Sequence, residues 1–131
     1  MISAVSHVGI RVLDAERSEA FYAKLGFRVV GRFGRDSVVI LSNDAGVEIN
    51  LIVNALPDHD GTNVLMDENL PKRAGYTHVA FAVDSIDETV QKLGELDIAI
   101  SGGPERLGPG ISLFVRDPDR NVLELRQERA G

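Results

Sequence analysis

The 131-residue sequence contains no cysteine and no tryptophan, and five phenylalanines and two tyrosines are its whole aromatic supply. Without Cys, disulfides, thiolate zinc sites, iron–sulfur clusters and cysteine nucleophiles are excluded, and a bound metal must rely on His and carboxylate ligands. The few aromatics leave little surface on which to stack a large planar ligand. Positive charge is short as well. Fourteen Lys and Arg face 20 Asp and Glu, a net charge of −6, so the chain lacks the basic field that nucleic-acid binding needs. No apolar run approaches the roughly 18 residues of a membrane span. Residues 1–12 carry neither a basic stretch nor an unbroken apolar segment. These absences predict a soluble, cytoplasmic protein whose partner is a small molecule, with neither nucleic acid nor membrane involved.

The remaining composition is that of an ordinary folded domain, 44% hydrophobic and 26% charged. The length predicts one domain over residues 1–131, built as a module of about 1–54, a polar connector of 55–75 and a second module of about 76–131. In residues 6–13, Val8, Ile10 and Val12 alternate with His7, Gly9 and Arg11, the period of a strand with one face on a core. Asp14 is an N-cap for a helix in which Phe21 and Leu25 lie four apart, with Gly26 as its left-handed stop. Strands are predicted at 27–32, 37–42 and 47–53, giving βαβββ.

The second half repeats this order. Residues 77–83 read as a strand, and Ser85-Ile86-Asp87-Glu88 as a capping box opening a helix through Leu96. Further strands are predicted at 98–101, 112–116 and 122–127, with 102–110 as turn-rich hairpin or loop. An offset of 71 residues superposes His7 on His78, and also Val8 on Val79, Val12 on Val83, Leu25 on Leu96 and Phe27 on Ile98. The fold class is therefore α+β, two βαβββ modules.

If the apolar alternates face the helices, His7, Gly9 and Arg11 share the opposite, open face, and so do His78, Ala80 and Ala82. Glu124, between Leu123 and Leu125, joins them. Two imidazoles and a carboxylate suit a divalent Mn, Fe, Co, Ni or Zn ion with positions left for substrate. In the first half Glu48, Asn50, Ile52 and Asn54 share that face, so the residue facing the metal from there is Glu48 or Asn50. Plainer roles compete: strand histidines as structural hydrogen-bonders, Arg11 paired with Glu48 or Asp14, Asn54 opening a turn before Pro57. His59 reads as a solvated loop residue, and Tyr76 as packing or a supporting acid.

The histidines, the segment Phe21-Tyr22-Ala23-Lys24-Leu25-Gly26-Phe27 and, above all, Phe114 to Leu125 with Asp117-Pro118-Asp119-Arg120-Asn121 resemble the vicinal oxygen chelate superfamily. That group includes glyoxalases, bleomycin-resistance proteins and extradiol dioxygenases, and the pattern is most similar to glyoxalase I-like proteins. The resemblance implies a homodimeric, glyoxalase-type cleft. There a divalent metal on His7, His78, Glu124 and Glu48 chelates adjacent substrate oxygens, with Glu124 or Glu48 as the proton-transferring carboxylate. Arg11 and Asn54 are similar to residues that hold glutathione. Aligned on Asn54, the sequence puts Asn50 where a metal glutamate stands, and a two-residue slip restores Glu48. The expected function is a metal-dependent lyase or isomerase, with a glutathione hemithioacetal as the first substrate to consider. The alternatives are a ring-cleaving dioxygenase, an epimerase or a metal-free drug-sequestering protein.

Overall fold

The computed structural model of the protein describes residues 1–35, 37–57, 71–72 and 74–129. It separates into two compact units, Met1–His59 and Asp60–Gly131, each with one helix and one four-stranded sheet. In the first unit the alternation after His7 forms β1 (Val8–Arg11), followed by α1 (Ala15–Lys24), β2 (Arg28–Phe33), β3 (Val38–Ser42) and β4 (Glu48–Ile52). The second contains β5 (Val79–Ala82), α2 (Ile86–Glu95), β6 (Ile100–Leu107), β7 (Gly110–Arg116) and β8 (Val122–Gln127). Strand orders are β1-β4-β3-β2 and β5-β8-β7-β6. The opening strand of each unit runs parallel to the last one, and the other pairings are antiparallel. Both units are βαβββ, as the duplicated sequence predicts.

The helices start and stop by the same chemistry. The Asp14 carboxylate accepts from the Arg17 amide at 3.2 Å, and the Ser85 hydroxyl accepts from the Glu88 amide at 3.2 Å, each satisfying an N–H that the first turn leaves unpaired. At the other end, Phe27 N donates to Tyr22 O and Ile98 N to Leu93 O, a six-residue closure. The left-handed residue it requires is Gly26 at φ 99° in α1 but Asp97 at φ 58° in α2. Phe27 and Ile98 are thereby turned into the core, both buried.

Strand pairing fixes the two faces of each sheet. Val8, Ile49 and Leu41 are neighbours across three strands, as are Val79, Leu123 and Val115. These apolar rows, with Tyr22 and Phe27 in one unit and Ile86, Leu93 and Ile98 in the other, make the buried layers. The opposite faces carry Gly9, Asn50 and Ile40 in one row, and Ala80, Glu124 and Phe114 in its counterpart.

In α1 the buried residues are Ser18 and Tyr22, while Phe21 and Leu25 are half-buried. Of the hairpin and loop readings for residues 102–110, the hairpin holds, with its first strand longer than expected: β6 continues through Leu107 and pairs with β7 through two register shifts around Gly102. Its glycines and Pro104 are tolerated because β6 lies at the sheet edge, where a missing N–H breaks no central ladder. His59 lies outside the described residues.

Candidate active site

In the second unit the backbone carries His78 to the head of β5, while β8 sets Glu124 beside Ala80. His78 Nε2 donates to Glu124 Oε1 at 2.8 Å. The Ser112 hydroxyl, fully buried on β7, donates to Glu124 Oε2 at 2.7 Å. Arg126 follows Glu124 by two residues on the same face. It donates to Ser112 Oγ at 3.1 Å and brings its guanidinium to 3.9 Å from Glu124 Oε2. The Leu107 carbonyl at 2.8 Å and Glu128 at 3.1 Å hold that guanidinium in place. Gly110 makes room for it, since a Cβ there would lie 2.8 Å from Arg126 Nη2 and 2.5 Å from the Gln127 carbonyl oxygen. Phe114 packs edge-on to the His78 ring, centroids 5.8 Å apart.

Glu124 is 8% exposed. Burial opposes its ionisation, but hydrogen bonds from Ser112 and His78, with the charges of His78 and Arg126, outweigh it and hold the carboxyl below its ordinary value of 4.5. The sign of the pH effect follows. A depressed carboxyl adds stability in full above its unfolded value and loses it as pH falls through the folded one. The metal-free protein should therefore lose stability below about pH 4.5, and Glu124→Gln should flatten that part of a denaturation-midpoint profile. Equal acid slopes in parent and variant would assign the loss to other carboxylates.

The first unit holds a related but looser set. Ser6 Oγ lies 3.0 Å from His7 Nδ1, matching the 2.7 Å between Thr77 Oγ1 and His78 Nδ1. The Glu48 carboxylate is 3.6 Å from His7 Nδ1, and both side chains are partly exposed. Register separates the two carbonyl-bearing residues of β4: Asn50 neighbours Gly9 as Glu124 neighbours Ala80, and the 71-residue offset superposes Gly9 on Ala80. Asn50 thus occupies the position of Glu124, and Glu48, the first residue of β4, lies two residues before it and pairs with Ser42 on β3. Asn50 is buried, and among the described residues its Oδ1 finds no hydrogen-bond donor. Further along the face, Arg11 Nε donates to Asn54 Oδ1 at 2.9 Å. The two residues singled out for an anionic substrate are therefore in contact, with Arg11 donating to Asn54.

Among the described residues no three of His, Asp and Glu converge on one point. The sequence candidates are assembled as pairs, His7 with Glu48, His78 with Glu124, and Arg11 with Asn54. Ser6, Thr77, Ser112, Phe114 and Arg126 escaped sequence reasoning. Parity with Glu124 on β8 was a signal for Arg126, and the 71-residue offset was one for Ser6 and Thr77. Tyr76 is fully exposed.

A duplicated βαβββ unit with a histidine ahead of each opening strand and a buried acid on the last strand is the architecture of glyoxalase-type proteins. The profile of the Glyoxalase/Bleomycin resistance protein/Dioxygenase superfamily matches residues 4–125, and the chain belongs to this superfamily. It is 30% identical to the uncharacterized protein YwkD of Bacillus subtilis (strain 168), over 98% of this chain and 99% of that one. A glyoxalase/dioxygenase from Nostoc punctiforme has a similar structure, with TM-score 0.75 and 26% identity over 97% and 92% of the two chains. So does a glyoxylase/bleomycin resistance protein/dioxygenase domain from Frankia sp. EAN1pec, at TM-score 0.74 and 27% identity over 98% and 100%. Among the described residues no helix is long and apolar enough to cross a membrane.

Proposed function

We propose that the protein is a metal-dependent lyase or isomerase acting on a small substrate with adjacent oxygens. The carrying observation is the His78–Glu124 pair, whose donor atoms lie 2.8 Å apart on a carboxylate kept ionised by Ser112 and Arg126. The donor chemistry fits a divalent ion, and so does Asn50 at the Glu124-equivalent position, whose buried Oδ1 finds no hydrogen-bond donor among the described residues. His7, His78 and Glu124 would hold the ion, and Glu48 or Asn50 would face it from β4, within one chain or across a homodimer. Such an ion polarises both substrate oxygens as a Lewis acid.

The chain's own residues do the rest. Glu124, hydrogen-bonded at both oxygens, suits ligation better than proton transfer, because a stabilised carboxylate is a weakened base. Glu48, partly exposed and 3.6 Å from His7 Nδ1, is the proton-transferring carboxylate. Arg11, oriented by Asn54, binds an anionic end of the substrate.

The test is metal content after reconstitution with Mn, Fe, Co, Ni or Zn, followed by turnover of a glutathione hemithioacetal. About one ion per chain and turnover lost in Glu48→Gln are expected. Protein that retains no ion would be a metal-free ligand-binding member of the superfamily instead. One observation favours a second reaction: with Asn50 in the ladder position, the set becomes two histidines and one carboxylate, the ligands of ferrous oxygenases. Oxygen uptake with catechols under Fe(II), with no hemithioacetal turnover, would select that reading.

A further inference from the structure

Each histidine is preceded by a hydroxyl residue, and each hydroxyl lies on the Nδ1 of its neighbour, Ser6 on His7 at 3.0 Å and Thr77 on His78 at 2.7 Å. The same 71-residue offset relates the pairs. A contact between adjacent side chains is ordinary once, but its repetition at both halves of a duplicated site points to a shared task.

Proton bookkeeping supplies the task. In the 2.8 Å contact with the Glu124 carboxylate, His78 Nε2 is the donor. In the neutral ring Nδ1 is then an acceptor, and the Thr77 hydroxyl at 2.7 Å donates to it. On His7 the Ser6 hydroxyl at 3.0 Å can donate to Nδ1 or accept from it, so it serves either tautomer.

Resting on the metal reading above, we infer that Ser6 and Thr77 are positioning residues: their hydroxyls hold both imidazoles by Nδ1, and Thr77 lets His78 exchange tautomers in place as a metal ligand. When Nε2 of His78 serves a metal, its proton must reside on Nδ1, and Thr77 turns from donor to acceptor. A hydroxyl serves both states by rotating its O–H, with no heavy atom moving. A methyl group serves neither, and would leave Nδ1 unpaired in both.

The test uses the full chain with 15N-labelled histidine, resonances assigned through His→Gln variants. Metal-free protein should show Nε2–H on His78, and Zn(II) should convert His78 to Nδ1–H. Thr77→Val should weaken Zn(II) binding about 10- to 100-fold, the usual cost of losing a group that orients a ligand. Thr77→Ser should restore it to near the parent value. Thr77 is exposed, so neither change disturbs the core. Ser6→Ala and Ser6→Thr should repeat the loss and the rescue. Parent-like Zn(II) affinity in Thr77→Val, failed rescue by Ser, or Nδ1–H on metal-free His78 would each overturn the inference. A parent that takes no Zn(II) overturns the metal reading and the exchange with it. The His78 tautomer of metal-free protein still decides the Thr77 pairing by itself.

Discussion

Glu124→Ala is expected to abolish stoichiometric metal binding, weakening affinity by more than about 100-fold, because it removes a ligand rather than a group that orients one. Turnover by the reconstituted enzyme should fall in proportion. The fold should survive. The deletion leaves the buried Ser112 hydroxyl without its acceptor, at a cost of about 1–3 kcal/mol for a group so stranded, while Arg126 keeps its bonds to Ser112, Leu107 and Glu128. That is a modest part of the roughly 5–15 kcal/mol typical of a domain. Ser112→Ala is the informative companion: it keeps the ligand and strips one hydrogen bond from it, so affinity should fall by about 10- to 100-fold. Calorimetric titration with Zn(II), beside denaturation midpoints of the metal-free proteins, reads both quantities. Parent-like Zn(II) affinity in Glu124→Ala would remove the residue from the site, and an unfolded Ser112→Ala would recast the Ser112–Glu124 pair as structural.

Much of this site was legible in the chain because duplication doubles every signal. A single strand histidine means little, but His7 and His78 in a common register with Val8 and Val79 mark equivalent positions in two modules. Choosing between Glu48 and Asn50 was beyond the sequence, since the match of Val47-Glu48-Ile49 to Leu123-Glu124-Leu125 favours a two-residue slip and the Asn54 match opposes it. Hydrogen-bonded pairing supplies the register the sequence lacked: Gly9 and Ala80 correspond by the duplication, and their neighbours across the ladder are Asn50 and Glu124. The support around Glu124 was hidden for a different reason. Ser112 is distant in sequence and meets Glu124 only through the β7–β8 pairing, and Arg126 reads as an ordinary exposed charge until Gly110 is seen to open a path for it. The length of β6 was hidden because glycine and proline report local preference, whereas pairing with β7 at an edge overrides it.

The helix face of the first module carries the second large effect. Phe21 and Leu25 lie four apart, yet the fully buried aromatic of α1 is Tyr22. Its ring meets Phe21 edge-on at 5.1 Å and Phe27 edge-on at 6.1 Å, so it joins the helix to the residue that the left-handed Gly26 turns inward. Ser18, one turn earlier, is also fully buried. Tyr22→Ala should therefore cost about 3–5 kcal/mol, the range for deleting a buried aromatic side chain. Phe21→Ala, at a half-buried position, should cost clearly less. The loss falls on the module that carries His7, Asn50 and Arg11, so metal binding should disappear together with the folded state rather than ahead of it. Urea denaturation of the two variants ranks the residues. Equal destabilisation would return Phe21 to the core, and a Tyr22→Ala protein as stable as the parent would mean that the packing of α1 does not rest on this ring.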